Sequence, residues 1–218
     1  MIPLRDVIPS RTFPFVTIGI IVLNALAWFV ELSMPSERAL AQLLRIYGVV
    51  PARFHVATLF TSMFLHGSWS HILGNMWYLW IFGDNVEDRC GHARFVVFYL
   101  LCGVVAALGQ VMMNADSLLP TIGASGAIAG VMGAYFILYP RSRVLTLVPI
   151  FWIEIVEVPA VVLLGFWFLM QLVNAGAVAA ATSGTGGGVA FAAHVAGFLV
   201  GIGGIFLFKK REPVPYWA

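Results

Sequence analysis

Charge is the first thing this chain lacks. Of its 218 residues only 10% are Asp, Glu, Lys or Arg, against 61% hydrophobic. A soluble domain carries roughly 25% charged residues, so the composition excludes one and describes a polytopic membrane protein whose main solvent is lipid. The net charge is only +2, which offers no basic face to nucleic acid. Cysteine is scarce as well. Cys90 falls in an expected cytoplasmic loop and Cys102 inside an expected helix, so no disulfide framework is expected. No His-Glu-x-x-His pair occurs. The acids in or beside the outer halves of the spans, Glu31 and Asp116, are not spaced from His66, His71 and His194 as metal ligands. Neither a metal nor another cofactor is expected. Broken helices in two matched halves, the pointer to a transporter, are missing too.

What the chain has is long apolar runs. Crossing a bilayer takes about 20 mostly apolar residues, and six segments come close: 14–32, 69–86, 94–113, 123–140, 158–178 and 189–208. Arg5 and Arg11 precede the first run, as in a signal peptide. That run is longer than an h-region of about 7–15 residues and no cleavage site follows cleanly, so it reads as a retained helix. Pro140 and Pro159 bracket the fourth and fifth spans as breakers. The apolar stretch Val144–Ile153 is short and interrupted by Pro149, which suits an interfacial segment. Residues 1–218 therefore read as one all-α transmembrane domain. Putting both termini inside leaves nine basic residues cytoplasmic: Arg5, Arg11, Arg89, Arg94, Arg141, Arg143, Lys209, Lys210 and Arg211. Only Arg38, Arg45 and Arg53 lie outside, all in one loop over 33–68, and the positive-inside rule supports this orientation. Within that loop Ser36–Tyr47 is amphipathic, with Leu40, Leu43 and Leu44 on one side, and fits the membrane surface. A glycine-rich outer loop is expected at 184–188.

Polar residues converge in this frame. Ser125 lies in Gly123-Ala-Ser-Gly126, at the outer start of span four. His194 lies near the outer start of span six, and His71 and Asn75, four apart on one helical face, begin span two. These three spans run in the same direction, so all four groups occupy the outer third of the bilayer. Ionisable groups within spans usually mark function. Gly126-x-x-x-Gly130 and Ala193-x-x-x-Gly197-x-x-x-Gly201 let spans four and six approach closely. An imidazole beside Ser125 would supply the base that a weakly nucleophilic hydroxyl needs. His71, Asn75 and the Ser125 backbone N–H would supply donors for an oxyanion. Singly, each feature reads more readily as packing: a serine among glycines, a satisfied helical histidine, a capping pair. The coincidence of all four at one depth is what argues for chemistry.

The motifs Gly123-Ala-Ser125-Gly126, Ala193-His194-x-x-Gly197-x-x-x-Gly201 and His66-Gly-Ser-Trp-Ser-His71-Ile-Leu-Gly-Asn75 resemble those of the rhomboid family of intramembrane serine proteases, over nearly the whole chain. The resemblance implies a six-helix rhomboid fold, a Ser125–His194 dyad, and an oxyanion site using His71 and Asn75 with the backbone at Gly123 and Gly126. It also implies that Glu87 anchors a loop and that His66 belongs to the first outer loop. Transmembrane proteins would be the substrates, membrane lipid the surroundings, and the bacterial plasma membrane the expected location. Helix five, with Phe166, Trp167 and Phe168, and the 33–68 loop would border substrate entry. Some rhomboids carry an aromatic ring four residues after the serine, stacked on the histidine; here that residue is Ala129. What orients His194 is thus left to another aromatic or a water. The competing reading from the same family is an inactive protein that binds membrane clients without cutting them. A metal-dependent membrane enzyme and a transporter are the more distant rivals.

Overall fold

A computed structural model describes residues 1–149, 153–180 and 190–210. The expected 184–188 loop and Arg211 lie outside the described residues. In chain order the elements are β1 (Ile2–Asp6), α1 (Phe15–Leu32), α2 (Glu37–Tyr47), the single turn α3 (Thr58–Thr61), α4 (Trp69–Cys90), α5 (His92–Met113), α6 (Ser125–Leu138), β2 (Arg143–Pro149), β3 (Ile153–Pro159), α7 (Ala160–Ala180) and α8 (Phe191–Phe208). The protein is mostly helical. Among the described residues four helices, α1, α5, α7 and α8, are long and apolar enough to cross a membrane. The two other expected spans differ from these. α6 is apolar but has 14 residues, because the chain stays irregular until Ala124. α4 has 22 residues and ends in Asp84, Glu87, Asp88 and Arg89.

α1 shows which way the helices face, with its polar side chains turned inward. α1 buries Thr17, Ile20, Asn24, Trp28 and Glu31, a stripe at helical spacing, and exposes Val22, Leu23, Leu26, Phe29 and Val30. Polar groups turned inward and aliphatic ones outward suit a helix whose outer face meets hydrocarbon. This is a multi-pass membrane protein. Glu87, in the last turn of α4, is buried and accepts the N–H groups of Val16 (3.0 Å) and Thr17 (2.8 Å), the Thr17 hydroxyl (2.7 Å) and a bond from His92 Nδ1 (2.6 Å). It thereby satisfies first-turn donors of α1, which has no capping side chain of its own.

α6 is the central helix. Every residue from Gly126 to Tyr135 is buried, which is why it is apolar all round. α8 lies against it through Gly126, Gly130 and Gly133 on one side and Gly197 and Gly201 on the other. The amphipathic 36–47 segment is α2, capped by Ser36, whose hydroxyl accepts from the Ala39 N–H at 3.2 Å.

The all-α expectation is corrected by a three-stranded antiparallel sheet in the order β1-β2-β3. The segment expected to be interfacial, Val144–Ile153, instead supplies β2 and the start of β3, with Val144 paired to Val158 and Thr146 to Val156. β1 pairs Ile2 with Leu147 and Asp6 with Val144. The physical reason is visible in Ile153-Glu-Ile-Val-Glu-Val158: four of its six residues are β-branched, and such side chains favour a strand over a helix. β1 packs on α4, where the Trp77 indole donates to the Pro3 carbonyl at 2.7 Å, and β2 and β3 pack on α7. The sheet therefore bridges α4 and α7. Pro159 ends β3, and the first N–H groups of α7 are taken by the carbonyls of Ser142 (2.7 Å) and Pro140 (3.1 Å).

Candidate active site

Ser125 is the first residue of α6, and the loop before it is pinned by backbone. Val49 and Thr121 exchange hydrogen bonds of 3.0 and 2.8 Å, and the Gly123 N–H donates to the Ser62 carbonyl at 2.9 Å. Gly123 has φ +121°, a conformation that favours glycine. α6 has Ala124 at its N-cap and no capping side chain, which leaves first-turn N–H groups facing the site without an intrahelical partner.

The Ser125 Oγ lies 2.7 Å from His194 Nε2. Close approach of α6 and α8 makes this contact: Gly126, the residue after Ser125, meets Gly197, about one helical turn on from His194. The other imidazole nitrogen, Nδ1, lies 2.8 Å from Gln171 Oε1 on α7. His194 and Gln171 are both buried, whereas Ser125 is half-buried. All three groups are thus linked, and the hydroxyl is the one that reaches solvent.

His71 and Asn75 project from the first turns of α4, whose start is fixed by Ser68 Oγ accepting from the His71 N–H at 3.2 Å. The Gly67 N–H is directed at His71 Nδ1 at 3.5 Å, so the Nε2 position is the one that carries the proton. That Nε2 lies beside Gly123, in space a side chain there would fill. The Asn75 amide is 2.9 Å from His66 Nε2. His66 is buried and edge-on to His71 with ring centroids 5.0 Å apart, and its own N–H is held by the Glu31 carboxylate at 3.0 and 3.2 Å. Burial, with His71 as neighbour, lowers the His66 imidazole to about 4, so it is neutral at neutral pH and accepts from the Asn75 amide.

Ser125, His194, His71 and Asn75 line one cavity of about 860 Å³, together with Gln110 and Trp167. The four side chains singled out from sequence are therefore brought together. Of the two glycines expected to offer backbone amides, Gly123 does not have its N–H free. Its contribution is room for His71. Gly126 is buried against Ala106 and α8, where a Cβ would stand 2.6 Å from that of Ala106. Ala129 is completely buried, so no room is left beside it. The groups bordering His194 come instead from α7: Gln171 and the indole of Trp167, its centroid 5.8 Å from that of the imidazole. Sequence reasoning missed Gln171. Its signal was that of a strongly polar side chain in the otherwise apolar run Ala160–Val173.

Residues 53–211 match the family model described as the Rhomboid domain. The chain belongs to the rhomboid family. The rhomboid-like protein 11, chloroplastic, of Arabidopsis thaliana is 31% identical over 176 residues, 77% of this chain and 56% of that one. The presenilin-associated rhomboid-like protein, mitochondrial, of Mus musculus is 30% identical over 207 residues, 90% of this chain and 50% of that one. A rhomboid relative in Bacillus subtilis is 30% identical over 126 residues, 57% of this chain and 62% of that one. The chain thus spans about half the length of the first two. These relatives come from chloroplast, mitochondrion and a bacterium, so they lend no support to the expected bacterial plasma membrane over an organelle.

Proposed function

We propose that this rhomboid is an intramembrane serine endopeptidase that cleaves transmembrane proteins. The observation that carries the reading is the 2.7 Å contact between Ser125 Oγ and His194 Nε2, opening into a cavity also lined by His71 and Asn75. In this mechanism His194 Nε2 takes the Ser125 proton as Oγ attacks the scissile carbonyl carbon. Charge builds on the carbonyl oxygen, where the His71 Nε2–H, the free Asn75 amide proton and the Ser125 N–H can each donate. Collapse breaks the C–N bond, and His194 returns its proton to the leaving amine. Water then repeats the sequence on the acyl-enzyme. No aspartate takes part.

The same reading assigns six crossings, by α1, α4, α5, α6, α7 and α8, with both termini inside and the cavity opening outward. A short α6 is compatible with crossing because its N-terminus begins within the membrane at the base of a polar cavity, where irregular backbone is tolerated. Substrate helices would arrive from lipid.

The test is a serine-directed fluorophosphonate probe on the purified protein. Wild type labels and cuts a transmembrane substrate; Ser125→Ala and His194→Ala do neither, while keeping the wild-type melting temperature. Labelling that survives in Ser125→Ala refutes the nucleophile. A well-folded wild type that never labels supports the client-binding alternative.

A further inference from the structure

Gln171 fixes the protonation pattern of His194. In neutral imidazole one ring nitrogen donates and the other accepts. A general base for Ser125 needs Nε2 unprotonated, because that is the nitrogen facing Oγ at 2.7 Å. The proton must then sit on Nδ1 and point at an acceptor. Gln171 Oε1 is that acceptor, at 2.8 Å.

An amide can be turned either way, and only one way serves. The Gln171 Nε2 group donates to the Trp167 carbonyl, one helical turn back on α7, at 3.4 Å. Its oxygen is thereby committed to His194. The flipped amide would set oxygen against oxygen at Trp167 and an N–H against Nδ1. His194 would then be protonated on Nε2 and could not accept the Ser125 proton. The α7 backbone therefore orients the amide, and the amide orients the tautomer.

We propose that Gln171 is a positioning residue of this active site, holding His194 in the Nδ1–H tautomer and bracing the ring in the place that Ala129 leaves without a stacking aromatic. The proposal rests on Ser125 being the nucleophile. Gln171 is neutral, so it selects the tautomer without strongly stabilising the imidazolium. Among the described residues the titratable neighbour that acts on the imidazole charge is His71 of α4; Ser125 of α6 and Trp167 and Gln171 of α7 bring no charge. A carboxylate at position 171 would add the charge that is missing.

The experiment compares wild type, Gln171→Met and Gln171→Glu for kcat, KM and the pH dependence of kcat/KM, with Ser125→Ala as the inactive reference. Gln171→Met keeps the volume and removes the acceptor. Its kcat should fall roughly tenfold or more, since loss of the correct tautomer is costly in serine proteases, with KM little changed. Gln171→Glu should keep most of the activity and move the acid limb of the profile upward by about one unit, as a nearby opposite charge does. Wild-type kcat in Gln171→Met overturns the proposal. So does a Gln171→Glu profile that coincides with wild type, an arm that stands even where the Met variant does not fold. If wild type itself is inactive, the reading of Ser125 fails instead.

Discussion

Gly197 of α8 lies directly over the carbonyl oxygen of Gly126 in α6, and a methyl group on Gly197 would overlap that oxygen. The next turn repeats the arrangement with Gly201 over Gly130. Two helices that meet backbone to backbone fix their relative height closely. The Ser125–His194 contact sits just beyond this seam, so its geometry follows from the glycines below it. Lipid gives apolar helices little reason to associate, and close packing through small residues supplies that reason.

Gly201→Ala should therefore loosen the seam. Its added carbon would meet backbone atoms of Gly130 that cannot rotate away. Overpacking a tight core costs typically about 1–3 kcal/mol, and the rigid neighbour puts this site at the upper end. The melting temperature in detergent should drop and Ser125 labelling should fall with it. A variant with unchanged melting and labelling would mean that α6 and α8 separate at no cost.

Much of this arrangement was legible from residue types. Ser125, His194, His71 and Asn75 announce themselves because polar groups are costly in apolar segments, and the glycine spacing says which helices meet. The sheet was not legible in the same way. β1 is five residues long and pairs with a segment about 140 residues away, a relation that only the folded chain supplies. The β-branched residues of Ile153–Val158 were present, but an apolar stretch between two spans reads equally as a surface segment. Gln171 was hidden for another reason. It belongs to no motif, and its meaning depends on the rotation of α7 about its axis, which places it against His194 rather than lipid.

Gly123→Ala should impair turnover more than binding. The residue has φ +121°, and its Cβ would stand 2.7 Å from His71 Nε2. Backbone strain and the clash would both move the imidazole from its place beside the cavity. If His71 donates to the oxyanion, kcat should fall roughly tenfold or more while KM holds. Steady-state kinetics on a transmembrane substrate provide the check, and a change in KM alone would remove His71 from that role.

The six-crossing topology has a direct test. Cys90 and Cys102 are buried, so they give a quiet background for thiol labelling. Asp116, between α5 and α6, and Arg141, after α6, are both exposed. In intact cells or organelles an impermeant maleimide should label Asp116→Cys and spare Arg141→Cys. The reverse pattern would turn the cavity to the inner face.

Two groups outside the spanning helices should pull stability in opposite directions with pH. His66 is lowered by burial from 6.5 to about 4. The unfolded chain binds the proton first, so this group leaves stability intact above pH 6.5 and removes it as pH falls towards 4. Asp6 is raised by burial, with Asp84 adding to the effect and the 2.7 Å bond from the Tyr135 hydroxyl opposing it, from 3.8 to about 6. Here the folded protein holds the proton more tightly. Its contribution is complete below pH 3.8 and is lost as pH rises through 6. Asp6→Asn keeps an oxygen for Tyr135 and removes the buried charge. The variant should melt above wild type at pH 7–8, and the difference should close as pH approaches 4. Melting curves of both proteins across pH 4–8 decide it: a gap between them that does not vary with pH would show that Asp6 does not titrate in this range, and the sheet would have to be anchored without regard to its charge.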